Sequence, residues 1–379
     1  MARVTLYAHR LVARRASGVQ RYTDGLLSGL EEAAGPPWEL TAVSPDPVRP
    51  GRSDGHVAYR SVRLPRKIIH GLWYLAPLPP LEALVGRTEL VHVISTAIPV
   101  RSRAPQVITI HDLFTVRHPE WFEPRSARMT LKSLRLAVRS ARRIIVPSSF
   151  VAADVAGGLD VEPARISVVP EGVNARFTTE QADADQADIL ARYELRPSTY
   201  MVMVGLLSPR KNLKVLAEAW DALRSRRSER LPTLVVIGPV DVGHESVRLE
   251  VGRRGLGDRI RFTGFVPDSD LQALLANAIA LLHPSLDEGF GLTPLEAMAA
   301  GVPALVSKSG SIPEVTGDAA WQLDPGRPEA WADAVERIQD DSDLRASMIA
   351  AGRRRAAAFT WSATALQTLS VYRDALAET

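Results

Sequence analysis

The strongest constraint on this chain is an alternation, sustained through both halves, of short apolar β-branched runs with longer stretches of helical period. In the first half the runs are "VTLYA", "ELTAVS", "LVHVIS", "QVITI", "RRIIVPS" and "RISVVP"; in the second they are "YMVMVG", "TLVVIG", "RIRFTG", "AIALLHPS" and "PALVS". Runs that stay apolar without alternating are strands buried on both faces, and helices between them imply parallel sheets with right-handed crossovers. At 379 residues the chain exceeds one ordinary core of ~100–200 residues. The expected class is therefore α/β, with two doubly wound parallel-sheet domains in tandem. Ligands of such sheets sit beyond the carboxyl ends of the strands, so the natural site is a cleft that the two domains face.

The join is expected where "PEGVNARFTTEQADADQADILARYEL" passes from a strand into polar sequence, near residues 175–185, which would also serve as a hinge. The domains are then 1–178 and 179–356. Residues 357–379 carry Phe359, Trp361, Leu366, Leu369 and Tyr372 at near-helical spacing, which predicts a last helix docking its apolar face on the first domain.

Composition narrows the function classes. With 46% hydrophobic and 23% charged residues the chain is not of disordered type. It has no cysteine, which excludes disulfide frameworks, thiolate metal sites and cysteine nucleophiles. The start "MARVTLYAHRLVARR" lacks the apolar core of a secretory signal, and no later segment approaches the ~20 apolar residues of a membrane span, so the expected location is cytoplasmic. The net charge of +3 divides unevenly: residues 1–180 hold 24 Lys/Arg against 16 Asp/Glu, and residues 181–379 hold 22 against 27. A basic half raises the question of nucleic acid, but no helix-turn-helix, zinc-finger or aromatic RNA-binding signature accompanies it, so no nucleic-acid partner is expected.

The segment "DEGFGLTPLEAMAAGVPALV", 287–306, sets Glu288 and Glu296 on either side of a glycine turn. Thr293, Pro294 and Glu296 match N-cap, N1 and N3 of a capping box, so Glu296 has a structural reading as well as a ligand-binding one. Glu288 precedes the helix, where a local structural role is harder to find. Gly289 and Gly291 let backbone N–H groups approach a ligand, and the helix behind them favours an anion such as phosphate.

In "VMVGLLSPRKNLKVLAEAW", 202–220, Ser208 and Pro209 match N-cap and N1, which puts Arg210 and Lys211 in a first helical turn. The positive end of the helix dipole disfavours cations there, and a bound diphosphate would resolve the conflict; an ordinary solvated basic pair is the alternative. In "QVITIHDLF", His111 and Asp112 follow a strand directly, as cleft groups or as plain loop residues. Gly18 lies between the first strand and a helix, but a single glycine does not make the dinucleotide fingerprint. Asp183 and Asp185 resemble a metal pair yet sit in the polar stretch, and Asp268 and Asp270 read as helix-cap carboxylates. No metal and no cofactor are expected.

These residues together resemble the retaining nucleotide-sugar glycosyltransferases of family 4, which have the GT-B fold. The resemblance covers nearly the whole chain and rests on "EGFGLTPLE", "GLLSPRKNL", "ITIHDLF", the Gly18 loop, "VPSSFVAADV", "VVPEGVN", "FTGFVPDSDL" and the final tryptophan segment. It implies two Rossmann-like domains, acceptor on the first and nucleotide-diphosphate sugar on the second. Glu288 would bind donor-sugar hydroxyls and Glu296 the ribose. Arg210 and Lys211 would clamp the diphosphate, with backbone N–H groups of Phe290, Gly291, Leu292, Thr293 and the Gly18 loop. His111, beside Asp112, would contact the transferred sugar or help order the acceptor, and the loop at Phe265, Val266 and Pro267 would hold the base. Many relatives carry arginine directly after the strand-end glycine where this chain has Leu206, so the clamp would rest on Arg210 and Lys211 alone.

By the same resemblance the donor leans to GDP-mannose, with UDP- and dTDP-hexoses also open, and the acceptor is a glycan, a lipid-linked glycan or a small molecule. Arg128, Lys132, Arg135, Arg139 and Arg142 repeat at 4-3-4-3 spacing, and Arg63, Arg66 and Lys67 precede the apolar "IIHGLWYLAPL"; both patterns suit an anionic membrane surface, or a solvated arginine face. Two other readings stay open: a nucleotide-sugar 2-epimerase of the same fold, and a sugar-binding sensor without catalysis.

Overall fold

A computed structural model of the protein describes residues 1–9, 11, 18–46, 55–62, 64–76, 78–95, 99–179, 181–227, 230–240 and 246–378. The chain forms two compact units, one of residues 1–172 with 359–379 and one of residues 173–358.

Among the described residues of the first unit, seven strands form one parallel sheet: β1 (Ala2–Tyr7), β2 (Trp38–Ser44), β3 (Val57–Ser61), β4 (Leu90–Val93), β5 (Gln106–Thr109), β6 (Ala141–Val146) and β7 (Ile166–Val168). Their order is β3-β2-β1-β4-β5-β6-β7. Helices cover both faces. On one face Tyr7, Val43, Val91, Ile108 and Ile144 pack against Ile69 and Trp73 of helix Arg66–Leu75 and Leu134 and Val138 of helix Pro124–Ser140. On the other, Val4, Leu6, Leu40, Leu90 and Ile145 pack against helix Gly18–Ala33 and helix Trp361–Ala377.

The two helices of that second face meet at glycines. A Cβ on Gly25 would stand 2.0 Å from the Trp361 ring, and one on Gly29 would stand 2.2 Å from the Trp361 carbonyl oxygen. A buried polar chain fastens the same helix to the sheet: Tyr372 Oη bonds His92 Nδ1 (2.6 Å), His92 Nε2 bonds Thr109 Oγ1 (2.8 Å), and Tyr22 Oη meets the same hydroxyl (3.3 Å). Burial lowers the His92 pKa to about 3, so the ring is neutral and its two nitrogens serve one as donor and one as acceptor.

In the second unit six strands, again among the described residues, pair in parallel: β8 (Tyr200–Val204), β9 (Thr233–Ile237), β10 (Ile260–Gly264), β11 (Leu281–His283), β12 (Ala304–Ser307) and β13 (Trp321–Leu323), in the order β10-β9-β8-β11-β12-β13. Counted from β8 this is the 3-2-1-4-5-6 order of the doubly wound fold, with the reversal between β8 and β11. Met201, Met203, Leu234, Val236 and Leu282 anchor a core with Trp220 and Trp331, whose indole nitrogens donate to the carbonyls of Pro232 and Asp324.

Several expectations need correction. The units divide between Gly172 and Val173, ahead of the polar stretch expected to join them. That stretch belongs to the second unit because its side chains bind there: Arg176 pairs with Asp268 (2.5 Å), and Gln181 donates to the Ser269 carbonyl. Part of it is helical, Asp183–Arg192, rather than a linker; the Asp183 side chain lies outside the described residues. Asp268 and Asp270 do not cap their helix, whose N-cap is Pro267; Asp270 instead accepts from Tyr193 Oη at 2.9 Å. Arg142 leaves the basic helical stripe, since helix Pro124–Ser140 ends before it; it lies in β6 and donates to the Ala375 carbonyl. Arg63 and residues 12–17 of the Gly18 loop lie outside the described residues.

The close helix contact yields a test of sign. Alanine for glycine in a helix interior ordinarily stabilises by up to ~1 kcal/mol. Gly25→Ala should instead destabilise by about 1–3 kcal/mol through overpacking, lowering Tm in a thermal melt by roughly 2–10 °C. A Tm equal to or above wild type would show that Trp361 does not close on this helix.

Candidate functional site

Beyond the C-terminal ends of β8 and β11, at the reversal of strand order, two loops are bonded into one structure. After β8, Pro209–Lys211 forms a 3-10 turn, and Asn212 follows with φ +51°. Asparagine tolerates this left-handed conformation better than most residues. Its Nδ2 donates to the Pro284 and Pro325 carbonyls at 3.2 and 2.8 Å. Leu286 N donates to the Arg210 carbonyl at 2.8 Å, and Arg210 Nη1 returns a bond to the Asp287 carbonyl at 3.0 Å. The basic pair thus precedes helix Leu213–Arg227 rather than occupying its first turn. Its charge is met by a buried side chain of this same unit.

Glu288 is that side chain. Its Oε1 lies 2.5 Å from Arg210 Nη1, 2.7 Å from Lys211 Nζ and 3.2 Å from His283 Nε2. Lys211 and Glu288 are both buried. Burial alone would raise the Glu288 pKa, but Arg210 and then Lys211 hold it well below the usual carboxylate range. His283 goes the other way: burial first, and then the Lys211 charge, lower its pKa to about 4, so the ring is neutral near pH 7. With its proton on Nε2 it donates to the carboxylate. Gly205, at the end of β8, lets the lysine lie close, since a Cβ there would stand 2.9 Å from Lys211 Cε.

The glycine turn is held from a third loop. Ser311 Oγ lies 2.9 Å from the Glu288 carbonyl oxygen and 2.8 Å from that of Phe290, sharing its one proton between them, and Ser311 N donates to the Glu288 carbonyl (3.1 Å). Gly310, at φ +60°, passes so near that a Cβ would stand 2.6 Å from the Glu288 carbonyl oxygen. Gly289, Phe290 and Gly291 are buried. Helix Leu292–Ala299 starts two residues earlier than the capping box requires, with Gly291 at its N-cap, so Thr293 stands inside the first turn. Glu296 is buried in this helix. Val266 is buried between β10 and helix Asp268–Ala276, next to the half-exposed Phe265.

The first unit carries a separate group. His111 follows β5; its Nδ1 is 3.3 Å from Glu171 Oε1 and its Nε2 is 3.1 Å from the Ile94 carbonyl oxygen. Both partners accept, so the ring satisfies both only as imidazolium. Burial would lower its pKa, but the Glu171 hydrogen bond and charge raise it overall. Tyr22 packs edge-on against the ring at 4.6 Å. Asp112 Oδ1 accepts from Phe114 N and shapes the turn. Gly18 is the first residue of its helix, and nothing lies within 4 Å of where its Cβ would be.

The structure therefore brings Arg210, Lys211 and Glu288 together and places Gly289, Phe290, Gly291, Leu292, Thr293 and Glu296 on the adjoining turn and helix, while His111, Asp112 and Gly18 belong to the other unit. Sequence reasoning missed His283, Asn212, Ser311 and Glu171. A strand-terminal histidine before Pro-Ser was a usable signal for the first; Glu171 stands in "VVPEGVN" just after β7.

Two family models match the chain: "Glycosyltransferase Family 4" over residues 16–177 and "Glycosyl transferases group 1" over residues 187–355. The chain is similar to the O-antigen chain mannosyltransferase B of Escherichia coli, 32% identical over 70% of each chain. It is also similar to the D-inositol 3-phosphate glycosyltransferase of Salinispora arenicola, 31% identical over 72% of this chain and 64% of that enzyme, which is less than two thirds of its length. Among solved structures the fold resembles a sucrose-phosphate synthase from Thermosynechococcus elongatus (TM-score 0.77, 22% identity, all of both chains). It also resembles the Anabaena HepE protein in complex with UDP (TM-score 0.73, 18% identity, 99% of this chain and 100% of that one). The fold is of the GT-B class.

Glu288→Gln would leave Arg210 and the buried Lys211 without their carboxylate and should cost about 3–5 kcal/mol in denaturant unfolding; a loss under ~1 kcal/mol would show that the cluster is not a closed charge group. His111 has a pH signature. Because its folded pKa is raised, its contribution is full below the unfolded value of about 6.5 and disappears as pH rises through the folded pKa. The destabilisation caused by Glu171→Gln should therefore be larger near pH ~6 than near pH ~9; an equal loss at both would contradict an imidazolium–carboxylate pair.

Proposed function

We propose that this chain, which belongs to the family 4 glycosyltransferases and uses a nucleotide sugar, is a retaining hexosyltransferase that needs no metal ion. The observation that carries the reading is the bonded pair of loops at the strand-order reversal, where Arg210 and Lys211 stand beside the glycine turn that opens helix Leu292–Ala299. This is where a doubly wound sheet binds a phosphorylated ligand.

In this reading the donor diphosphate lies against Arg210, Lys211 and the N–H groups of Phe290, Gly291, Leu292 and Thr293. Glu288 takes donor-sugar hydroxyls, Glu296 the ribose, and the loop at Val266 the base. His111 and Asp112 act on the sugar and acceptor side, with the Gly18 loop. The acceptor hydroxyl attacks the anomeric carbon on the face from which the diphosphate leaves. The bond from that carbon to the phosphate oxygen breaks, the leaving oxygen takes the acceptor proton, and a nucleoside diphosphate departs. Cations fixed at the departing charge supply most of the stabilisation. Similarity to a mannosyltransferase supports a mannosyl donor; GDP as its carrier is the expectation from the sequence motifs. Similarity to enzymes named for D-inositol 3-phosphate favours a second acceptor reading, a small phosphorylated polyol in place of a glycan or lipid-linked glycan.

The test is a thermal-shift series on the full chain without added metal, using GDP, UDP, dTDP, ADP and their sugar conjugates. One base family should raise Tm by roughly 5–10 °C at saturation, and Arg210→Ala and Glu296→Ala should weaken that shift. No response to any nucleotide would contradict the donor site. Incubation with the responding donor then separates the remaining readings: a transferred sugar of unchanged anomeric configuration is expected, an inverted product would refute retention, and isomerisation of the donor without acceptor would identify an epimerase.

A further inference from the structure

One surface of the first unit is unlike the rest. Helix Arg66–Leu75 buries Ile69, His70 and Trp73 and turns Ile68, Leu72 and Leu75 outward. These three are 53, 39 and 89% exposed, and Leu78 just beyond is 59% exposed. At 100° per residue Ile68, Leu72 and Leu75 fall within an arc of about 60°, bordered on one side by exposed Lys67 and Gly71. Single exposed leucines mean little, but a contiguous apolar ridge marks a contact surface.

Helix Pro124–Ser140 packs on the same face of the same sheet. It contains no acidic residue, and Arg125, Arg128, Lys132, Arg135 and Arg139 are all exposed. They too fall within an arc of about 80°. The nearest carboxylate on this element, Glu123, is its N-cap and accepts from Arg125 N and Ser126 N. A five-cation stripe and a short leucine–isoleucine ridge on one sheet face match the chemistry of an anionic bilayer surface: phosphate headgroups for the cations, and the headgroup–acyl boundary for the ridge.

We propose that this face docks the protein on an anionic lipid surface, with helix Arg66–Leu75 lying in the interface and helix Pro124–Ser140 held against the headgroups. Among the described residues no helix is long and apolar enough to cross a membrane; the contact described here is in the plane of the surface. It does not depend on which sugar is moved or on which nucleotide carries it.

The test is co-sedimentation of the full chain with vesicles of phosphatidylcholine alone and of phosphatidylcholine with about a third phosphatidylglycerol. Binding is expected to the anionic vesicles only, and to be largely lost at about 0.5 M NaCl. Leu72→Ser/Leu75→Ser and Arg128→Glu/Arg135→Glu, each checked for an unchanged melting curve, should each lower the vesicle partition coefficient at least about tenfold. If either pair melts early, Leu75→Ser or Arg135→Glu alone replaces it, with a smaller loss in the same direction. No sedimentation at low salt, equal binding to neutral vesicles, or variants that bind as wild type would overturn the proposal. A concentration-dependent dimer that the leucine variant abolishes, without vesicle binding, would also overturn it and assign the ridge to a second copy of this chain.

Discussion

One carboxylate oxygen organises the second unit. Arg210, Lys211 and His283 all converge on Glu288 Oε1, and through them the loop after β8 is tied to the loop after β11. Three donors on one oxygen, two of them cationic, are tenable in a buried place only if each element is independently fixed. Asn212 fixes the basic turn through two carbonyls, and Ser311 fixes the glycine turn through two more. A charge cluster held in this way has already met its desolvation and ordering costs before any ligand arrives. The arrangement is suited to exchanging one anion for another, because a phosphate offers oxygens of the kind that the carboxylate offers now.

The first unit is organised by burial instead of charge. The last helix is held by contacts that only glycine permits, at Gly25 and Gly29, and by a neutral histidine whose two nitrogens join Tyr372 to Thr109. The chain end thereby becomes part of the sheet's cover. His111 stands two residues beyond Thr109, past the end of β5, and the Glu171 that faces it follows β7, so loops after two strands meet in one ion pair.

Much of the fold was legible because parallel strands buried on both faces leave an unmistakable apolar run. The two strands not anticipated, β3 and β13, show where that signal fails. β3 is an edge strand with most of its residues exposed or half-exposed, and β13 is a three-residue strand at an edge of the second sheet. An edge strand has one neighbour and needs no continuous apolar sequence. The division of the chain was misplaced for a different reason: a polar stretch such as "TTEQADADQ" reads as a linker, whereas Arg176 and Gln181 anchor it through long-range polar bonds that composition does not register. The motifs singled out Arg210, Lys211 and Glu288 but did not register the contact between them. Helix-dipole reasoning took the cations to await an external anion; the structure supplies an internal one from 77 positions along the chain, counting Lys211 to Glu288. Residues that support a site, such as His283 and Ser311, carry no local pattern, because what defines them is the tertiary neighbour they touch.

The central claim is that the Arg210–Lys211–Glu288 cluster is the seat of the donor diphosphate. A crystal structure of the chain with the nucleoside diphosphate that stabilises it tests this most directly. The account predicts phosphate oxygens within about 3 Å of Arg210 Nη1 and Lys211 Nζ, with the phosphates against the backbone of the glycine turn. A nucleotide bound with its phosphates away from this pair, leaving all three contacts to Glu288 unchanged, would contradict it.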